Sequence, residues 1–219
     1  LQVIDYKQLF EKAKEQQLLI DVYVRAGQFL KKGDVLAKVN SFNLSEKTKS
    51  RISSAFVIGR ERSPTQDIEY AIDQLVAIAL RSLSVVANDT FSANTCIDYL
   101  GATLCVIFQK KLNPPYYDKN SYIKLVYKQL TFEGLVDASF NQIRQYGSSS
   151  PSILIHLLET LLSVLYCAQT DEQRVALKKH ALIIQAAGEQ LVEKRDQLDV
   201  RERFEKFNSE FEKSIQKLS

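Results

Sequence analysis

Residues 55–104 read AFVIGRERSPTQDIEYAIDQLVAIALRSLSVVANDTFSANTCIDYLGATL, and along this run the chain turns from strand to helix. The opening AFVIG is a short apolar run of the kind found in a buried strand. In the polar stretch that follows, Ser63 is placed to cap a helix, Pro64 to take its first position and Gln66 to complete a capping box, which predicts a helix start at residue 63. Ile68, Ile72, Leu75, Ala79 and Leu83 then share one stripe, widened by Ala71, Val76, Ile78 and Leu80, so this helix is expected to be central. Asn88-Asp89-Thr90 breaks the pattern and is placed to cap a second apolar helix, whose face carries Ala93, Ile97, Leu100, Leu104, Phe108 and Leu112 before Asn113-Pro114-Pro115 ends it.

Upstream of this run the period is different. Residues 5–17 carry Tyr6, Leu9, Phe10 and Ala13 at helical spacing, with Asp5 in capping position. In LLIDVYVR (18–25) Leu18, Ile20, Val22 and Val24 alternate with Leu19, Asp21, Tyr23 and Arg25, the period of two of a half-buried strand. Ala26-Gly27 ends that strand, Lys32-Gly33-Asp34 makes a turn, and residues 35–39 supply a second strand; residues 40–51 are polar and aperiodic, a loop or weak helix. Downstream, YIKLVYK (122–128) alternates again. Helices are then expected over 132–146 (ended by Gly147), over 151–168, from Asp171 to about residue 194, and from Asp199 onward. The last repeats Val200, Phe204, Phe207, Phe211, Ile215 and Leu218 on one side, and Phe204, Phe207, Phe211 and Ile215 form a candidate self-association face.

These elements predict an α+β fold, mainly α: a helical bundle with a small β module built from short N-terminal strands plus one later strand. The division expected is a small module over 1–62 and a helical domain over 63–219 with a strand inserted near 122–128. At 219 residues the chain can bury a core without metal or disulfide help. Its 29 basic and 26 acidic residues are interleaved to a net +3, so nucleic acid is not an expected partner. No uninterrupted apolar stretch reaches the roughly 18 residues of a spanning helix; residues 152–168, broken by His156 and Glu159, come nearest. The chain starts at Leu1, holds no Met and lacks a signal-like opening, which leads us to expect a preceding segment.

Catalytic motifs are not evident. His156 and Glu159 share one helix turn and could face one metal ion, but HExxH, paired ExxH, GxSxG, GxGxxG and P-loop patterns do not occur. Cys96, Cys105 and Cys167 are odd in number and without ligand spacing, and read as buried free thiols. The most suggestive polar groups lie at element ends: Arg60, Glu61 and Arg62 at the strand-to-helix junction, and Asn88 and Asp89 between the two apolar helices, flanked by Arg81 and Asp98. Such residues can cap and pair internally, or converge on an anion or a peptide.

Residues 55–104, together with Val3-Ile4-Asp5, VRAGQFLKKGDVLAKV (24–39) and FNQIRQYG (140–147), resemble the bacterial predicted membrane proteins filed as domain of unknown function number 2254. The resemblance implies a soluble region following several transmembrane helices, with the protein's own membrane segment as its first partner and a homo-oligomer as a possible second. It attaches no reaction and no cofactor, and leaves Arg60, Arg62, Asn88, Asp89, Arg144 and Tyr146 as motif positions without roles. Residues 24–39 are also similar to the half-motif of biotinyl and lipoyl carrier domains and membrane-fusion adaptors; the Met-Lys-Met attachment site is missing, so no carried cofactor is implied. The expectation is a non-enzymatic regulatory or assembly domain at the cytoplasmic side of a membrane, unpaired cysteines agreeing with a reducing compartment. The alternative is a ligand-binding sensor or transport-gating domain using the Arg/Asn/Asp cluster.

Overall fold

The computed structural model describes residues 1–41, 43–110, 112, 116–117 and 123–216. In chain order the elements are β1 (Val3–Ile4), α1 (Tyr6–Glu15), β2 (Ile20–Val22), β3 (Ala37–Val39), α2 (Glu46–Ser54), β4 (Phe56–Val57), α3 (Ile68–Ser82), α4 (Thr90–Phe108), β5 (Tyr116–Tyr117), β6 (Ile123–Tyr127), α5 (Phe132–Tyr146), α6 (Pro151–Cys167), α7 (Asp171–Gly188) and α8 (Lys194–Gln216). The fold is mainly helical with a small β module, as the periodicities predict.

Two compact units are present, Leu1–Ala71 with Leu112–Gln129, and Ile72–Lys111 with Leu130–Ser219. The boundary therefore lies inside α3 rather than at residue 62. The later strand does not belong to the helical unit: β6 pairs in parallel with β2, Ile20 opposite Leu125, and completes a sheet of order β3-β2-β6-β5. Nothing local in YIKLVYK specifies which strand it joins, so this long-range pairing is invisible to a window of sequence.

In the first unit the alternation expected over 18–25 is realised. Leu18, Ile20, Val22 and Val24 are buried, and the last three pack with Ile4, Leu9, Ala13, Phe56 and Leu125. Asp5 caps α1 by accepting the Gln8 amide at 2.8 Å. The polar stretch 40–51 resolves partly into α2, which Ser45 caps through the Thr48 amide. Two short strands escape the sequence reading: β1, which pairs antiparallel with β4, and β5.

α3 begins at Ile68, four residues later than Pro64, the first helical position that the capping box predicts. Ser63 instead accepts the Thr65 amide in a turn, and the Gln66 amide is diverted to β1, accepting from Ile4 N at 2.9 Å and donating to Ile4 O at 3.0 Å. Asp67 takes over the capping role, its Oδ1 accepting the Tyr70 amide at 3.0 Å.

The second unit is built on α4 and α6. Ala93, Ile97, Leu100, Leu104 and Phe108 of α4 are buried as predicted, and α6 buries Ile153, Leu154, Leu157, Leu158, Leu161 and Leu165. Among the described residues α4, 19 residues long, is the one helix long and apolar enough to cross a membrane by length and composition, which the sequence reading did not anticipate. Its buried face is that of a core helix: Gly101 lets it approach α6 so closely that a Cβ there would stand 2.4 Å from Thr160 Cγ2. α7 stops at Gly188 and α8 starts at Lys194, earlier than the expected break before Asp199. The reason is a second close approach, since a Cβ on Gly188 would meet Val200 at 2.4 Å, and this packs the start of α8 back on the end of α7. The expected helix stop at Asn113-Pro114-Pro115, Tyr122 and Leu218 lie outside the described residues.

Candidate functional site

Arg60 and Arg62 belong to the first unit, and Arg81, Asn88, Asp89, Asp98, Arg144 and Tyr146 to the second. Arg62 is engaged: its Nε and Nη2 donate to Asp67 Oδ2 and Oδ1 at 2.7 and 3.1 Å, and its guanidinium lies 5.0 Å from the Tyr70 ring centroid. The Asp67 side chain is only 2% exposed and sits against the turn at Gly27, whose φ is +85° and where a Cβ would stand 1.8 Å from Asp67 Oδ2. Arg25, beside that turn, pairs with Glu69 at 3.0 Å. The segments VRAG and RERSPTQDIE are thus two halves of one joint, while Arg60 remains exposed at its rim.

In the second unit the polar groups between α3 and α4 build the loop itself. Asn88, at φ +45°, donates its amide to Ser84 O at 2.8 Å, and the Asp89 amide donates to Ser82 O at 2.8 Å. Asp89 caps α4, accepting the Ser92 amide at 3.0 Å and the Ser92 hydroxyl at 2.5 Å; these two donors, the hydroxyl first, hold its carboxyl below the usual aspartate value. Asp98 lies 2.8 Å from His156 Nε2, and Glu159, one turn further along, is turned to Arg203 of α8 at 3.0 Å. His156 and Glu159 therefore serve different partners, and no group of three or more metal-binding side chains occurs among the described residues. Arg144 Nη2 is 3.5 Å from Asn141, its Nε is buried without a hydrogen bond, and Tyr146 is exposed.

The self-association face expected on α8 is largely consumed inside its own unit. Phe204 and Phe207 are buried; Lys178 of α7 stands 4.8 Å from the Phe204 ring centroid and 5.4 Å from that of Phe211. Ile215 is exposed. The amphipathic pattern itself could not distinguish a neighbouring helix from a second copy.

Helix directions bring a different set of residues together. Asp98 meets His156, Gly101 meets Thr160 and Cys105 meets Cys167, so α4 and α6 run side by side in the same direction. Arg203 meets Glu159, and Glu210, Lys213 and Ser214 line one hollow with Leu165 and Tyr166, so α8 runs the same way. The loops leading into α4, α6 and α8 consequently lie at one end of the unit. At that end Val85 is 99% exposed, Val86 97%, Phe91 82%, Val192 93% and Tyr146 65%. The first loop is held in shape by the Ser82, Ser84 and Asp89 hydrogen bonds described above, so these apolar groups are displayed on defined backbone. Sequence reading passed over Val85, Val86 and Val192 because they sit in breaks between periodic segments; the signal was two adjacent valines in an otherwise polar interruption.

The thiols also differ from expectation. Cys105 and Cys167 form a disulfide joining α4 to α6 with Cα atoms 5.3 Å apart, and Cys96 alone is a buried free thiol, its pKa pushed up by burial. Spacing of 62 residues gives no hint of such a pairing.

Residues 1–163 match the family described as predicted membrane protein (DUF2254), a match that ends within α6. Uncharacterized proteins of Mycobacterium bovis and Mycobacterium tuberculosis are 31% identical over 141 residues, which is 64% of this chain and 27% of theirs. The matched region thus spans little more than a quarter of the length of these curated relatives. No solved structure matches. With three quarters of the fold covered in order, from the β1 strand through most of α6, the chain belongs to the DUF2254 family of predicted membrane proteins.

Proposed function

We propose that this chain forms an extramembrane regulatory or assembly domain of a bacterial membrane protein, and that the loop end of its helical unit rests on the bilayer surface. The observation that carries this reading is the near-complete exposure of Val85, Val86, Phe91 and Val192 on loops gathered at one end. Isolated exposed apolar side chains are ordinary, but several on neighbouring loops mark a surface that is covered in use. Burying a Val or Phe side chain is favourable by about 1.5–3 kcal/mol, so a few of them suffice for weak, reversible insertion. Arg81, Lys194 and Arg195 flank these loops and are exposed, suited to phosphate headgroups around an apolar tip. A domain covalently tied to a membrane segment needs only such weak affinity, because the tether keeps the local concentration of bilayer high.

The sensor reading has less behind it, since Arg62 is committed to Asp67 and Asp89 to the α4 cap. Sedimentation of the chain with phosphatidylcholine vesicles containing a minority of phosphatidylglycerol tests the docking. The expected result is co-sedimentation that drops at least about tenfold when Val85 and Val86 are both replaced by Asp, with helicity unchanged by circular dichroism. No vesicle binding, or binding indifferent to the double substitution, would sink the proposal.

A further inference from the structure

Cys105 and Cys167 are brought together by packing that does not depend on the bond between them. The α4–α6 contact is set by Asp98 with His156 and by Gly101 against Thr160, and further along the same side-by-side helices Cys105 stands opposite Cys167 with their Cα atoms 5.3 Å apart. Both cysteines are half-buried, open to a thiol-oxidising partner, whereas Cys96 is sealed in the core and left unpaired. The three cysteines therefore divide by geometry and by access: the two that can bond are the two that can be reached.

From this pair we infer that the domain lies on the extracytoplasmic side of the membrane, where a disulfide-bearing oxidase closes the Cys105–Cys167 bond. In the first step one thiol, as thiolate, attacks the oxidase disulfide and forms a mixed disulfide. The second thiolate then displaces the oxidase from it. Two S–H bonds are lost and one S–S bond is formed, the two electrons open the oxidase disulfide to a pair of thiolates, and the two protons, passed through solvent, convert these to its dithiol. Cytosolic thiol pools hold such exposed pairs reduced, while the compartments outside the inner membrane let them form and persist. This assignment reverses the cytoplasmic side expected when all three cysteines were read as unpaired.

The test uses the full-length protein in bacterial membranes, with thiols trapped by acid and the denatured chain then alkylated with a polyethylene glycol maleimide. Without reductant, Cys105→Ser is expected to carry one adduct more than the wild type, because Cys167 is released. If the two thiols are free in the cell, the same variant carries one adduct fewer, and the inference is overturned. Denaturation before labelling makes the readout independent of how well the variant folds, and other cysteines of the longer protein cancel in the comparison. A second arm places a cysteine at Lys206 on the exposed face of α8. Labelling of Lys206→Cys by a membrane-impermeant maleimide in intact cells supports the outer side; labelling only after lysis overturns it, whatever the state of the bond.

Discussion

The carboxylate of Asp67 accepts two hydrogen bonds from the guanidinium of Arg62, at 2.7 and 3.1 Å, while capping α3 through the Tyr70 amide. One almost fully buried group thus holds a turn, a helix start and an arginine in place. Removing it takes this carboxylate from the guanidinium and leaves the helix uncapped. Asp67→Ala is expected to cost about 2–4 kcal/mol, the sum of a charged hydrogen-bonded pair and a cap. Urea unfolding of the chain checks this.

Gly27 offers an independent handle on the same joint. Its φ of +85° and the absence of space beside Asp67 both exclude a side chain. Gly27→Ala is expected to destabilise the first unit by more than the roughly 1 kcal/mol of a left-handed alanine alone, because Asp67 must also move. Gly33, at φ +99° with no atom within 4 Å of a Cβ, pays only the conformational part, so Gly33→Ala is expected to be the milder change in a thermal melt.

His180 is fully buried, with Nε2 2.7 Å from Asp137 Oδ1 and Nδ1 without a partner. Burial drives its pKa below the ordinary 6.5; Asp137 opposes the shift, and Arg144 and Lys179 reinforce it. Since the folded-state value is depressed, the unfolded chain takes up the proton first as pH falls. Stability from this group is complete above pH 6.5 and is lost as pH drops below it toward the lowered folded value. Urea midpoints should therefore fall between about pH 7 and about pH 5.5, and His180→Gln should flatten that slope relative to the wild type.

Reduction of the Cys105–Cys167 bond opens a loop of 62 residues. Chain entropy for a loop of this size corresponds to about 4 kcal/mol, and disulfides typically stabilise by about 2–4 kcal/mol. A thermal melt with and without dithiothreitol is expected to show a lower midpoint in reductant for the wild type and no reductant effect for Cys105→Ser.

Phe207 and Ile215 separate the internal role of α8 from any external one. Phe207 is fully buried, so Phe207→Ala is expected to cost about 3–5 kcal/mol. Ile215 is 43% exposed, and Ile215→Ala should change stability by less than about 0.5 kcal/mol. Denaturant midpoints of the two variants decide this; equal losses would contradict the packing described.

Local chemistry was legible from the sequence wherever a single element decides it. The alternation of Ile20 and Val22 with Asp21, the capping residues Asp5 and Asp89, Pro151 at the first position of α6, and the apolar face of α4 from Ala93 to Phe108 all appear in place, because strand and helix periods, cap hydrogen bonds and the fixed φ of proline act within a few residues. Ser63 and Gln66 show where this stops. Their capping-box spacing is sound, yet β1 supplies Gln66 with two better-placed backbone partners, and the helix start moves to Asp67.

By itself the sequence determined the fold class, the number and kind of most helices, and the kinship with a family of predicted membrane proteins, all of which follow from periodicity and from motif order. Only tertiary structure decided that β6 joins β2, that Arg62 is taken by Asp67, that Phe204 and Phe207 face inward, and that Cys105 meets Cys167. Each of these depends on residues far apart in the chain meeting at one distance and angle. Such pairings are selected by the global packing of elements, which no local pattern encodes. The exposed end carrying Val85, Val86, Phe91 and Val192 belongs to the same class, for it exists only once α4, α6 and α8 are laid in one direction.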